Sequence, residues 1–202
     1  MPFLRSRATY DRFASRYDGF MRPLERRFLA RLRARTLSAL PENGRILEIG
    51  AGTGLNFPFY PRGACGAASE LSLAMIDIAR GKTRPPGVNL VQSSAEMLPF
   101  ADASFDAAVA TLVFCSLQSP EKAFSEVRRV VRPGGTIALL EHVRPEGLLL
   151  GWLFDALSLF TVALFDDHFN RRTADHARSS GLQPLSIERR ALGIINIIIL
   201  KR

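Results

Sequence analysis

The chain has 202 residues, 47% of them hydrophobic and 23% charged. That length suits one domain, and the composition supports a sizeable core and excludes a chain disordered throughout. The formal charge is +8, and two cysteines, Cys65 and Cys115, exclude a disulfide-built scaffold. The N-terminus has no apolar run of signal-peptide type, so a reducing, cytoplasmic setting is expected.

The excess charge sits at one end. Residues 1–35 hold ten arginines against Asp11, Asp18 and Glu25, a net +7. Such a segment seeks a polyanion, an anionic membrane surface or nucleic acid, or is a solvated helix face. No zinc-ligand spacing and no aromatic-interleaved sheet pattern marks a nucleic-acid module, so no nucleic-acid partner is expected. Leu24, Phe28 and Leu32 recur at spacing four, with Leu29 beside them and arginines between. That spacing predicts an amphipathic helix over 22–40, packed on the domain or lying on lipid headgroups.

Strand and helix patterns then alternate. Arg45–Ile49 is a short β run, Ala64–Ser69 a weaker one, and Leu73–Arg80 reads as a helix. Val88–Gln92 and Phe105–Thr111 are the third and fourth strands. Ser119, Pro120 and Glu121 open a helix as cap, first-turn proline and dipole partner, and it runs to about Val131. A turn at Arg132–Gly135 precedes a fifth strand, Thr136–Glu141, and two β runs, Leu185–Arg190 and Ile194–Leu200, close the chain. The expected fold is α/β, a doubly wound, mostly parallel seven-stranded sheet with an N-terminal amphipathic helical extension.

Gly50, Gly52 and Gly54 follow the first strand and precede a helical turn. Glycines there let backbone pass close to a ligand and offer it N–H groups. Leu55 breaks the dinucleotide spacing Gly-x-Gly-x-x-Gly, and there is no Gly-Lys-Ser/Thr of a P-loop. The alternative is a tight turn with no ligand. Glu70 closes the second strand, where a carboxylate in such sheets accepts hydrogen bonds from ribose hydroxyls. A nucleoside ligand without an obligatory pyrophosphate follows.

With these residues the chain resembles the class I S-adenosylmethionine-dependent methyltransferases. Leu47–Gly54 resembles the family's first motif and Glu70–Met75 its second. Ala95–Phe100 with Ser104–Asp106 resembles the third region, and Arg128–Thr136 the turn before strand five. The resemblance implies a Rossmann-like fold, S-adenosyl-L-methionine as cofactor and S-adenosyl-L-homocysteine as product. It implies residues 1–40 as a basic helical lid and membrane-contact segment and 41–202 as the cofactor-binding domain. Backbone at Gly50, Gly52 and Gly54 would meet the cofactor's amino-acid part, and Glu48 would orient its ammonium group. Glu70 would hold the ribose, Leu71 and Met75 would pack near the adenine, and Ala95 and Glu96 would line the adenine end. Ser94 stands where the family often has Asp. Thr111 and Leu112 would sit beside the sulfonium, and Tyr10, Ala51 and Asn56 complete the implied cofactor-binding set.

Methyl transfer from a sulfonium asks for alignment and exclusion of water, with a base only where the acceptor carries a proton. Tyr10-Asp11 and Tyr17-Asp18 resemble lid segments in which a tyrosine covers the cofactor, which makes Tyr17 a candidate catalytic residue; ordinary helix packing is the alternative. His142, at the end of strand five, is the second candidate, as a base or as a strand cap. Cys115 reads as a core or rim thiol. His142, His168 and His176 form no zinc spacing, so no metal is expected.

The run 148–165 is almost wholly apolar. It reads as a buried helix over the substrate pocket or as a lipophilic entrance, too short for a span with Asp155 and Gly151 inside it. The Tyr-Asp lid and Arg22–Glu25 resemble bacterial phospholipid N-methyltransferases, which convert phosphatidylethanolamine towards phosphatidylcholine. Thr111–Ser116 and Glu141–Val143 resemble microsomal alkyl-thiol methyltransferases. The expectation is a monomer, peripheral to the inner face of the membrane, that methylates a lipid headgroup amine. Small lipophilic thiol, hydroxyl or quinone acceptors, or a non-enzymatic membrane-peripheral module, are the alternatives. Strand four is followed by Leu-Val-Phe-Cys, not the Asp/Asn-Pro-Pro-Tyr of base-amine methyltransferases.

Overall fold

The computed structural model describes residues 3–142 and 173–202. The apolar run at 148–165 and His168 lie outside the described residues. Seven strands form one sheet: β1 (Arg45–Ile49), β2 (Cys65–Glu70), β3 (Gly87–Gln92), β4 (Phe105–Thr111), β5 (Val131–His142), β6 (Gln183–Arg190) and β7 (Ile195–Lys201). Their order is β3-β2-β1-β4-β5-β7-β6. All pairs are parallel except those of β7, which runs antiparallel to both β5 and β6. The expected mostly parallel, doubly wound sheet is therefore present.

Parallel strands covered on both faces need near-continuous apolar runs. β4 supplies one, buried from Ala107 to Thr111. Alternation sends Leu47 and Ile49 of β1 to one face, with Ala108 and Ala110 of β4. There they meet Phe124 and Val127 of α4 (Pro120–Val130), and Ala177 of α5 (Thr173–Ser179) joins them. Phe114 stacks on Phe124 with ring centroids 4.2 Å apart. Ile46, Ala107, Val109 and Ala138 take the opposite face, where Leu37 and Leu40 cover them.

The N-terminal helix is longer than its apolar spacing predicts. It runs as α1 (Phe3–Leu24), a π-helical turn (Glu25–Leu29) and α2 (Ala30–Leu37) without leaving the helical region. Pro23 lies inside it, and its ring nitrogen has no hydrogen to donate. The helix loosens to a π turn directly after, a known response to such a break. The arginine-rich first turns gave no apolar stripe from which to place the start.

Two local expectations change. Ser119 stands at the N-cap of α4 but its hydroxyl caps nothing; its backbone N–H instead donates to Glu96. β5 begins at Val131, not Thr136, because Arg132–Gly135 bulge out of the ladder between the Phe105–Val131 and Ala107–Thr136 pairs. Gly134, with φ of 74°, turns the bulge, and its N–H donates to Arg202.

Candidate functional site

The strand order reverses between β1 and β4, which opens a crevice at the carboxyl ends of the strands. A cavity of about 600 Å³ occupies it. Its floor is Gly50 and Gly52 after β1, Ser69 and Glu70 of β2, Ser93–Glu96 after β3, Thr111–Val113 after β4 and His142 of β5. Its roof is α1, which contributes Tyr10, Phe13, Tyr17, Phe20, Met21 and Leu24.

The glycine turn is shaped by necessity. Gly50, Gly52 and Gly54 all have positive φ. A Cβ at Gly50 would lie 2.5 Å from Val113, and one at Gly54 would lie 2.4 Å from the Phe57 ring. At Gly52 it would meet nothing within 4 Å. Gly52 therefore opens on the cavity and leaves room there for a ligand. That opening and the cavity volume fit the adenosyl and amino-acid parts of S-adenosylmethionine.

Glu70 organises the opposite side of the turn. One carboxylate oxygen accepts from the N–H groups of Leu71 and Ser72, both at 2.8 Å, and the other from Gly52 N–H at 2.9 Å. Burial raises its carboxyl above the usual value, and the three backbone bonds work against that rise. Oε1 has both lone pairs occupied, and Oε2 keeps one for a donor from the cavity.

Glu48 lies on the other face of β1, since it is two residues from Ile46. It is fully buried, and Asn56 and the Tyr60 hydroxyl donate to its two oxygens at 2.6 Å each. Burial raises this carboxyl too and holds the Tyr60 phenol well above its usual range. Glu48 and Asn56 do not line the cavity; they stand behind it. Ala51 and Gly54 build the turn: the Ala51 N–H donates to Ser69 and the Gly54 N–H to Ala51.

The remaining expected residues gather at the cavity: Leu71, Met75, Ser94, Ala95, Glu96, Thr111, Leu112, Tyr10, Tyr17 and His142 all line it. Leu112 holds a φ of 59°, which re-aims the chain after β4. Burial pushes the Tyr17 phenol up to about 12, so at neutral pH it is a hydroxyl and not a base.

Polar side chains outside the lining hold it in place, and two of them, Arg33 and Lys82, carried no sequence signal. Arg33, 3% exposed, reaches from α2 to Glu25, Asn56 and Thr111. Lys82 pairs with Asp18, which also accepts from the Thr53 hydroxyl of the glycine turn at 2.5 Å. Asp11 accepts from the Ser72 hydroxyl, the N-cap of α3 (Leu73–Arg80), at 2.5 Å. Asp11 and Asp18 thus fasten α1 over the cavity mouth. Glu141, fully buried in β5, accepts from the Val113 and Phe114 N–H groups and holds the loop after β4. Among the described residues no cluster of three metal-ligating side chains occurs.

Residues 47–139 match the model of a methyltransferase domain family. A thiol S-methyltransferase of Mus musculus is 40% identical over 111 residues, 52% of this chain and 46% of that protein. A phosphatidylethanolamine N-methyltransferase of Cereibacter sphaeroides is 34% identical over 139 residues, 65% of this chain and 68% of that protein. A demethylmenaquinone methyltransferase of Renibacterium salmoninarum is 34% identical over 142 residues, 68% of this chain and 59% of that protein. The chain spans about half the length of the thiol methyltransferases it matches. Among solved structures, a SAM-dependent methyltransferase of Thermotoga maritima superposes with a TM-score of 0.74 at 25% identity, over 97% of this chain and 99% of that one.

Proposed function

The chain belongs to the class I S-adenosylmethionine-dependent methyltransferases, and from that premise we propose that it methylates a lipid headgroup amine drawn from an anionic membrane surface. S-adenosyl-L-methionine is its cofactor and S-adenosyl-L-homocysteine the product. The observation that carries the acceptor reading is α1. Its inner side roofs the cavity with Phe13, Tyr17 and Met21. Phe20 and Leu24, at the rim of that roof, are 66% and 51% exposed, with Arg16, Arg22, Arg26 and Arg27 exposed around them. Exposed apolar side chains ringed by arginine suit the interface of an anionic bilayer, where the apolar groups enter and the cations meet phosphate. Residues 1–40 act in this reading as lid and membrane contact together. Among the described residues, no helix is long and apolar enough to cross a membrane.

Bound S-adenosylmethionine supplies an already activated methyl group. The chain's part is to bind, orient and dry the site. Gly50 and Gly52 bring backbone to the amino-acid part, and Glu70 accepts from the ribose hydroxyls. Leu71, Met75, Ala95 and Glu96 surround the adenine. Thr111 and Leu112 border the reacting end, and Tyr10 and Tyr17 close over it from α1. An ammonium must shed a proton before it can attack, and in this reading the His142 imidazole, which lines the cavity at the end of β5, takes it.

A thiol acceptor is the second reading, favoured by the 40% identity to a thiol S-methyltransferase. Vesicles of phosphatidylethanolamine and phosphatidylglycerol with methyl-labelled cofactor separate the two. The expected result is label in the phospholipid, with vesicle sedimentation weakened by salt. Unlabelled phospholipid beside a labelled alkyl thiol would overturn the lipid reading in favour of the second.

A further inference from the structure

The strands point chemistry into the cavity, yet one buried cation reaches the site from the helical segment. Arg33 Nε donates to Glu25 Oε1 at 3.0 Å, with Nη2 paired to the same oxygen at 3.0 Å, and Nη1 donates to Asn56 Oδ1 at 2.9 Å and to Thr111 Oγ1 at 2.6 Å. Asn56 is fixed by its neighbours, because an arginine only donates and a carboxylate only accepts. Its carbonyl therefore faces Arg33, and its amide donates to Glu48 at 2.6 Å and to Thr111 Oγ1 at 2.9 Å.

The consequence falls on Thr111. A hydroxyl oxygen has two lone pairs and one hydrogen. Arg33 and Asn56 occupy both lone pairs, so only the hydrogen remains. Among the described residues no acceptor takes it, and Thr111 lines the cavity. The network thus makes Thr111 a one-way donor, polarised by a cation directly behind it. It can serve an acceptor oxygen and cannot serve an ammonium.

We propose that Arg33 is a positioning residue that, with Asn56, commits the Thr111 hydroxyl to donate to the carboxylate of the methyl donor's amino-acid part. The guanidinium itself stays behind the wall and touches no ligand. Its fork is essential to the role, since a lysine ammonium cannot hold Thr111, Asn56 and Glu25 in one plane. The proposal rests on the reading that this cavity holds the methyl donor.

The test uses the full chain and two nucleosides, S-adenosylhomocysteine and its decarboxylated analogue, which keeps the amine and lacks the carboxylate. Calorimetry on Thr111→Val should show S-adenosylhomocysteine bound about tenfold more weakly, or worse, with the analogue unaffected within about twofold. Thr111→Ser restores the hydroxyl and should restore the affinity. Arg33→Lys should reproduce the carboxylate-selective loss, and a melting curve for each variant confirms that it is folded. Equal losses for both nucleosides in a folded Thr111→Val would mean a structural role only and would overturn the proposal, as would no loss. A wild-type chain that bound neither nucleoside would fail the donor-site reading and take the inference with it.

Discussion

Glu70→Ala tests the site at the point where fold and ligand share one carboxylate. The side chain accepts three backbone N–H bonds, from Gly52, Leu71 and Ser72, at 2.8–2.9 Å. At about 0.5–1.5 kcal/mol net for each bond, their loss should destabilise the chain by about 1.5–4.5 kcal/mol. For a chain of this size that lowers the melting temperature by roughly 3–18 °C. Ribose hydroxyls donating to a carboxylate add about 1.5–3 kcal/mol to binding, so S-adenosylhomocysteine should bind roughly tenfold to 150-fold more weakly. Differential scanning calorimetry and isothermal titration separate the two effects. A lower melting temperature with unchanged affinity would show that Glu70 builds the turn and does not hold the ligand, and the reading of the second strand would fall.

Gly52→Ala places a methyl group in open cavity at a φ of 55°, so cofactor affinity should drop at least tenfold for a stability cost of about 1–2 kcal/mol. Gly54→Ala meets the Phe57 ring instead, and the larger loss should appear in the melting temperature. Affinity should also fall with acid. Glu70 has a raised carboxyl, so it takes up its proton at a pH above the ordinary value of about 4.3 and loses its free lone pair for the ribose. Its stability term runs the other way: a raised folded value means the contribution is complete at low pH and is lost as pH rises through that value. Titrations of S-adenosylhomocysteine carried from neutral pH down through the ordinary carboxylate range should therefore weaken towards acid, and a flat profile would contradict the assignment. Asp18→Asn weakens the ties to Lys82 and Thr53, and limited proteolysis should then cut within α1 sooner than in the wild type.

The donor side of the cavity was legible because its constraints act on backbone. A turn with three positive-φ residues must spell glycine, and a carboxylate that collects three N–H groups must sit at one strand end. Both leave marks in the sequence at fixed spacing. The sheet was legible for the same reason, since covered parallel strands are apolar runs. Glu48 was placed correctly in sequence but its direction was not, because direction depends on the pleat. Counting from Ile46 turns it away from the cavity, towards Asn56 and Tyr60. Arg33 was illegible. It is one of ten arginines in its segment, and only the fold distinguishes the one that is 3% exposed from those around it. The cap at Ser119 failed because its backbone, at φ −126° and ψ 78°, departs from the extended geometry that aims a capping hydroxyl at the first turn.

The acceptor side follows different rules, and this is why the same family covers amines, thiols and quinone rings among the relatives matched here. An activated methyl group needs a pocket that aligns an acceptor and keeps water out, and apolar side chains do that without any fixed spacing. In the proposed reading those side chains come from α1. Phe13, Tyr17 and Met21 line the cavity, and Phe20 and Leu24 line its exposed rim. Tyr10, Phe13, Tyr17, Met21 and Leu24 recur at spacings of three and four, so one apolar stripe runs along α1 and faces the cavity. The predicted helix took only the end of that stripe, at Leu24, Phe28 and Leu32. The helix is held down by Asp11 and Asp18, whose partners Ser72 and Thr53 belong to the donor-side loops. If α1 is the lid we propose, exchange of donor and access of acceptor depend on the same few polar contacts, and a substitution that loosens them should act on both ends of the reaction.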